Sequence, residues 1–126
     1  MQGGSISIIR NRNELLSHGN VEARKTALDI IEYALGAIDS YKLVRELVSL
    51  QGNTLRVGSL TYDLSKIGSI YVVGAGKGSS SIAHALEDTL EGKIKSGLVI
   101  EKRGQSRKLK RVDIIEADHP VPDEEG

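Results

Sequence analysis

The chain has 126 residues, enough for one domain with its own core, and its 17 basic and 17 acidic residues cancel to a formal charge of zero, so no global field draws it to nucleic acid or to a membrane surface. It has no cysteine, and its aromatics are four tyrosines with no Phe or Trp, which excludes disulfides and thiolate metal sites and leaves little for stacking bases. No stretch approaches the ~20 apolar residues of a membrane helix, and Met1-Gln2-Gly3-Gly4 lacks the basic then apolar layout of a signal peptide, so the expectation is a soluble cytoplasmic protein.

In chain order, residues 21–38 place Ala27, Ile30, Ile31, Ala34, Leu35 and Ile38 at helical spacing, with Glu22, Arg24, Lys25, Asp29 and Glu32 mostly opposite and Asn20 as N-cap. A second helical stripe follows with Leu43, Val44, Leu47 and Val48, capped by Asp39 or Ser40, and the two helices are expected to pair antiparallel. Residues 54–57 and 60–62 flank Gly58-Ser59 as a short hairpin. A strand over about 69–73 then runs through a glycine-rich turn into a helix marked by Ile82, Ala83, Leu86 and Leu90 that stops near Gly92. Further strands are expected at 97–100 and 112–116.

Strand, helix, strand within about thirty residues is a βαβ unit with a right-handed parallel crossover. The fold class is therefore α/β: N-terminal helices followed by a Rossmann-like, mainly parallel sheet with a glycine-rich strand-to-helix turn. In open parallel sheets ligands bind beyond the carboxyl ends of the strands, which brings together the loops at 74–79, 102–104 and 117–123. The third convergence holds only if the last strand is parallel, and the connection of about eleven residues is near the lower limit for a crossover.

The turn Gly74-Ala75-Gly76-Lys77-Gly78-Ser79-Ser80-Ser81 carries the chemistry. Gly74, Gly76 and Gly78 allow the backbone to approach a ligand, and the first amides of the helix point outward as donors for an anion. Lys77 adds a mobile point charge, and Ser79 and Ser80 supply hydroxyls. The spacing does not match the P-loop, which requires glycine at position 71 and Ser or Thr at 78, where this chain has Tyr71 and Gly78. As a dinucleotide fingerprint it reads Gly74-x-Gly76-x-x-Ser79, with Glu101 near the end of the next strand as a ribose ligand. A turn that only packs helix on strand is the plain alternative.

The second unusual segment is Glu116-Ala117-Asp118-His119-Pro120-Val121-Pro122-Asp123. Its prolines hold the residues before them extended and give the His119 imidazole a defined direction. His119 then binds a carboxylate or hydroxyl, or it packs locally while Asp123 caps a helix starting with Glu124 and Glu125. His18 and His84 sit near no site signal, and the basic run of Lys102, Arg103, Arg107, Lys108, Lys110 and Arg111 reads as a solvated loop.

The order Tyr62-Asp63-Leu64, Tyr71-Val72-Val73-Gly74-Ala75-Gly76-Lys77, Gly97-Leu98-Val99-Ile100 with Lys102 and Gly104, and His119-Pro120-Val121-Pro122-Asp123 resembles the N-terminal part of the glycerate 2-kinases over about residues 27–123. That family pattern has alanine after the lysine and glycine before the histidine, where this chain has Gly78 and Asp118. The resemblance implies transfer of the terminal phosphoryl group of ATP, with Mg²⁺, to the 2-hydroxyl of D-glycerate. It implies Lys77 as catalytic residue, Gly74, Gly76, Gly78, Ser79, Ser80, His119 and Asp123 as phosphate or substrate ligands, and no protein-bound metal. It further implies that 1–126 is the N-terminal part of a longer enzyme, with a helical segment at about 20–50, a βαβ unit at about 69–123 and a missing C-terminal domain. Such a piece is expected to be inactive alone, and a homodimer is compatible with the family. Two other classes stay open: a nucleotide- or dinucleotide-binding module, including a hydroxypyruvate reductase-like oxidoreductase, and a helix-pair interaction domain without a ligand.

Overall fold

The computed structural model describes residues 7–124; the tetrapeptide 1–4 and Glu125, considered above, lie outside them. The chain divides into two compact units, one ending at Asp39 and the other beginning at Ser40.

The first unit contains α1 (Arg12–Leu15) and α2 (Val21–Ala37). The Asn20 side chain accepts a hydrogen bond from the Ala23 amide at 3.0 Å, the expected N-cap. Arg12 joins the two helices by pairing with Asp29 and, at 2.7 Å, with Glu32. The apolar stripe expected to be buried is largely open: Ile30, Ile31, Leu35 and Ile38 are exposed and Leu28 is the buried residue of α2.

The second unit begins with α3 (Ser40–Leu47), followed by β1 (Val48–Gln51), β2 (Thr54–Val57) and β3 (Leu60–Asp63), an antiparallel meander in that order. Val48 does not continue the α3 stripe, as its spacing had suggested. It starts a strand, because Gly52 at φ +59° turns the chain so that Val48 pairs with Val57. α2 and α3 belong to different units, and within the second unit α3 packs on α4 (Ser79–Leu90).

A parallel sheet of β4 (Ile70–Ala75), β5 (Ile94–Lys102) and β6 (Val112–Ala117), in that order, positions the site. The mixed α/β class is as expected, and β6 is parallel despite its short connection. One face of the sheet packs on α4 around Ala83, Leu90, Ile94, Val99 and Val112. Gly97 lies between Val72 and Val112, and a Cβ there would come within 2.5 Å of the Val72 carbonyl oxygen, so only glycine permits this strand spacing. Among the described residues no helix is long and apolar enough to cross a membrane.

Candidate active site

The carboxyl ends of β4, β5 and β6 open into one cleft of about 180 Å³, whose lining includes Gly76, Lys77, Glu101, Lys102, Asp118 and His119. All three loops singled out in the sequence contribute to it. The volume is below the roughly 300–1,000 Å³ of pockets that hold drug-sized ligands, which suits a small substrate.

The glycine turn has the required left-handed backbone, with Gly76 at φ +115° and Gly78 at φ +84°. Its amides, however, are mostly spent inside the protein. Gly76 N donates to the Ile100 carbonyl at 2.9 Å, and Ser79 N donates to the Gly76 carbonyl at 3.1 Å. Gly78 N and Ser80 N donate to the two oxygens of the Glu101 carboxylate at 3.2 and 3.0 Å. The Ser80 hydroxyl donates to the same carboxylate at 2.9 Å, and the Ser79 hydroxyl to the Ile100 carbonyl at 2.8 Å. The anion expected at the start of α4 is thus supplied by the chain itself. The groups of Gly76, Gly78, Ser79 and Ser80 expected to face a phosphate are thus bonded internally, those of Gly78 and Ser80 to the buried carboxylate and those of Gly76 and Ser79 to backbone carbonyls.

Glu101 is 1% exposed. Burial alone would raise its pKa, but hydrogen bonds from the amides of Ser80, Lys102 and Gly78 and from the Ser80 hydroxyl outweigh that cost and hold the carboxyl below the usual range. With both oxygens turned to these donors, Glu101 is not a free acceptor for a ribose, and the dinucleotide fingerprint loses its acidic partner.

What remains for a ligand is cationic. Lys77 stands at the exposed tip of the turn and Lys102 at the end of β5, and among the described residues neither ammonium group has an ion-pair or hydrogen-bond partner. His119 is exposed on the opposite rim, and its peptide bond to Pro120 is cis. Asp118 also lines the cleft, but its carboxylate accepts from Arg103 Nε at 3.0 Å, while Arg103 Nη2 donates to Asp123 at 3.0 Å. One guanidinium therefore braces both ends of the histidine loop and partly neutralises Asp118.

Of the residues expected from the sequence, Gly76, Lys77 and His119 meet in the cleft. Gly74, Gly78, Ser79, Ser80 and Asp123 do not line it. Gly74 lies instead along an apolar hollow between β4 and α4, where Lys77 and Ser79 also reach. The sequence reading placed Lys102 only in a solvated basic run near the turn, and it considered Glu101 as a ribose contact only under the dinucleotide alternative. The signal for both was their place at the end of an apolar strand following the turn.

Residues 26–126 match the family described as "Domain of unknown function (DUF4147)". The chain is 31% identical over 106 residues to the glycerate 2-kinase of Pyrococcus horikoshii, covering 84% of this chain and 23% of that protein. It is 42% identical over 57 residues to a putative hydroxypyruvate reductase of Agrobacterium vitis, covering 45% of this chain and 13% of the other. The crystal structure of the PH0495 protein from Pyrococcus horikoshii OT3 superposes with a TM-score of 0.68 at 32% identity, over 82% of this chain and 23% of that one. The chain thus spans about a quarter of the length of the Pyrococcus proteins it matches.

Proposed function

This chain belongs to the DUF4147 family, a glycerate kinase-type N-terminal domain, and on that premise we propose that it forms the N-terminal part of an ATP-dependent glycerate 2-kinase and contributes the acid-binding side of the active site. The observation that carries this reading is the pair of ammonium groups, Lys77 and Lys102, unpartnered among the described residues, in a small cleft at the carboxyl ends of three parallel strands. Phosphoryl transfer needs positioning and charge neutralisation more than covalent chemistry from the protein. Lys77 at the reacting centre supplies both, holding the acid and offsetting charge that develops as the 2-hydroxyl oxygen, its proton released to solvent, bonds to the phosphorus and the bond to ADP breaks. His119 orients the substrate from the facing rim.

The described residues do not fit a protein-held Mg²⁺. That ion is usually bound through one or two available carboxylates together with substrate phosphates. Here Glu101 is committed to amides and Asp118 is paired with Arg103, and among the described residues no group of three or more His, Asp or Glu could hold a metal. The nucleotide's phosphates and their Mg²⁺ are then held by residues other than these. The oxidoreductase reading lacks its ribose acceptor, since Glu101 is buried and fully engaged.

Calorimetric titration of the chain with D-glycerate, Mg·ATP and NAD, beside the Lys77→Met variant, tests the proposal. Saturable glycerate binding that disappears in Lys77→Met is expected. Binding of NAD alone, or no binding of any of the three, would overturn a preformed acid site on this segment.

A further inference from the structure

We infer that Glu101 is the positioning residue of this cleft: its carboxylate stands where a bound anion would sit at the start of α4, fixes the Lys77 turn, and by occupying the backbone donors there biases the cleft away from phosphate and toward a monoanionic carboxylate. The inference rests on the reading of the cleft as an acid site and adds to it the basis of its selectivity.

A helix N-terminus attracts anions through unpaired amides and the positive end of the helix dipole. In α4, a helix of 12 residues, that attraction is satisfied from within. Gly78 N and Lys102 N converge on one Glu101 oxygen, at 3.2 and 2.8 Å, while Ser80 N and the Ser80 hydroxyl converge on the other, at 3.0 and 2.9 Å. These bonds span the residues on both sides of Lys77 and tie the turn to the end of β5, so the tip carrying Lys77 is held against the strand that carries Lys102. The carboxylate lies buried behind the turn and still borders the cleft.

Selectivity follows from charge. A fixed negative charge in a poorly solvated position repels an incoming ligand in proportion to the ligand's own charge. Its own contribution therefore disfavours a phosphate dianion more than a carboxylate monoanion, and so opposes the stronger pull that Lys77 and Lys102 exert on the dianion by the same rule. The amides of Gly76, Gly78, Ser79 and Ser80, which would otherwise face a phosphate, are also occupied. Lys77 and Lys102 remain as point charges, which suit a single carboxylate beside a hydroxyl.

The test is a two-dimensional amide NMR titration of the full chain with D-glycerate and, separately, inorganic phosphate, on the wild type and on Glu101→Gln. The wild type is expected to bind phosphate at least tenfold more weakly than glycerate, with the Gly78 and Ser80 amide signals unmoved by phosphate. Glu101→Gln, nearly isosteric, is expected to narrow the glycerate-to-phosphate affinity ratio at least tenfold and to let phosphate shift those two signals. A purely structural role would weaken both ligands in parallel and leave the ratio unchanged, which would overturn the assignment. If Glu101→Gln does not fold, the wild-type phosphate arm decides: movement of the Gly78 and Ser80 signals overturns it, and their stillness at phosphate levels that perturb Lys77 upholds it. Absence of glycerate binding to the wild type would refute the proposed function. The Glu101 assignment would then still be decided by whether Glu101→Gln gains phosphate binding.

Discussion

Substituting Gly97 by alanine tests whether the spacing of β4 and β5 builds the cleft. The new Cβ would lie 2.5 Å from the Val72 carbonyl oxygen, 3.0 Å from Val72 Cβ and 3.1 Å from Val112 Cγ2. Ordinary carbon-to-oxygen contacts in sheets are about 3.3–3.6 Å, so the strands must part by nearly an ångström at this point. The opposing atom is backbone, in a strand packed on α4, and cannot rotate away. Overpacking of this kind costs about 1–3 kcal/mol, and stretching the neighbouring ladder bonds adds roughly 1 kcal/mol. The expected loss is about 3 kcal/mol, or a fall of about 10 °C in Tm for a domain of this size. Gly74→Ala is the control, because its Cβ would meet Val99 Cγ1 at an ordinary 3.6 Å and its φ is not in the left-handed region. Urea denaturation followed by circular dichroism measures both variants. Equal midpoints for Gly97→Ala and Gly74→Ala would refute the argument that strand spacing is limited at this residue.

Other predictions concern single contacts. Glu101 has a folded pKa below its unfolded value, so its contribution to stability is fully present above the ordinary carboxylate range and is lost as pH falls through the lowered folded value; denaturation midpoints at pH 7 and pH 3 should differ less in Glu101→Gln than in the wild type. Asn20→Ala removes the cap on the Ala23 amide and is expected to cost about 1 kcal/mol, read as reduced protection of the first α2 amides in hydrogen exchange; unchanged protection would count against the cap. Glu87 accepts from the amides of Lys110, Arg111 and Val112, so Glu87→Ala should speed proteolytic cleavage within 103–111 while leaving the β4–β5 amides protected. Under the proposed function, Lys77→Met in a glycerate kinase carrying this segment should lower turnover by orders of magnitude with the fold intact, and an active variant would remove Lys77 from the reacting centre.

The sequence made the central unit legible because its signals were local: an apolar run, left-handed glycines and an amphipathic stretch specify β4, the turn and α4 almost independently of the rest. β1 was hidden because Val48 falls at helical spacing from Leu43, Val44 and Leu47; the Gly52-Asn53 pair before a second alternating run was the available hairpin signal. The direction of β6 could not be read from connection length alone. Residues 103–111 cross over without a helix of their own, and the structure tolerates this because α4 supplies Glu87 to take the three amides that lead into β6. The turn was misjudged in one respect for the same reason: counting unpaired helix amides locally ignores acceptors brought in by the sheet. β5 carries a carboxylate at Glu101, and parallel registry of Ala75 with Ile100 sets it directly behind the turn. A glycine-rich turn followed by an acidic residue at the end of the next parallel strand therefore has two readings, a ribose contact when that side chain is open to the cleft and an internal stand-in for the anion when it is buried. Here burial and four donors decide for the second, which leaves Lys77 and Lys102 as the cationic side chains that line the cleft.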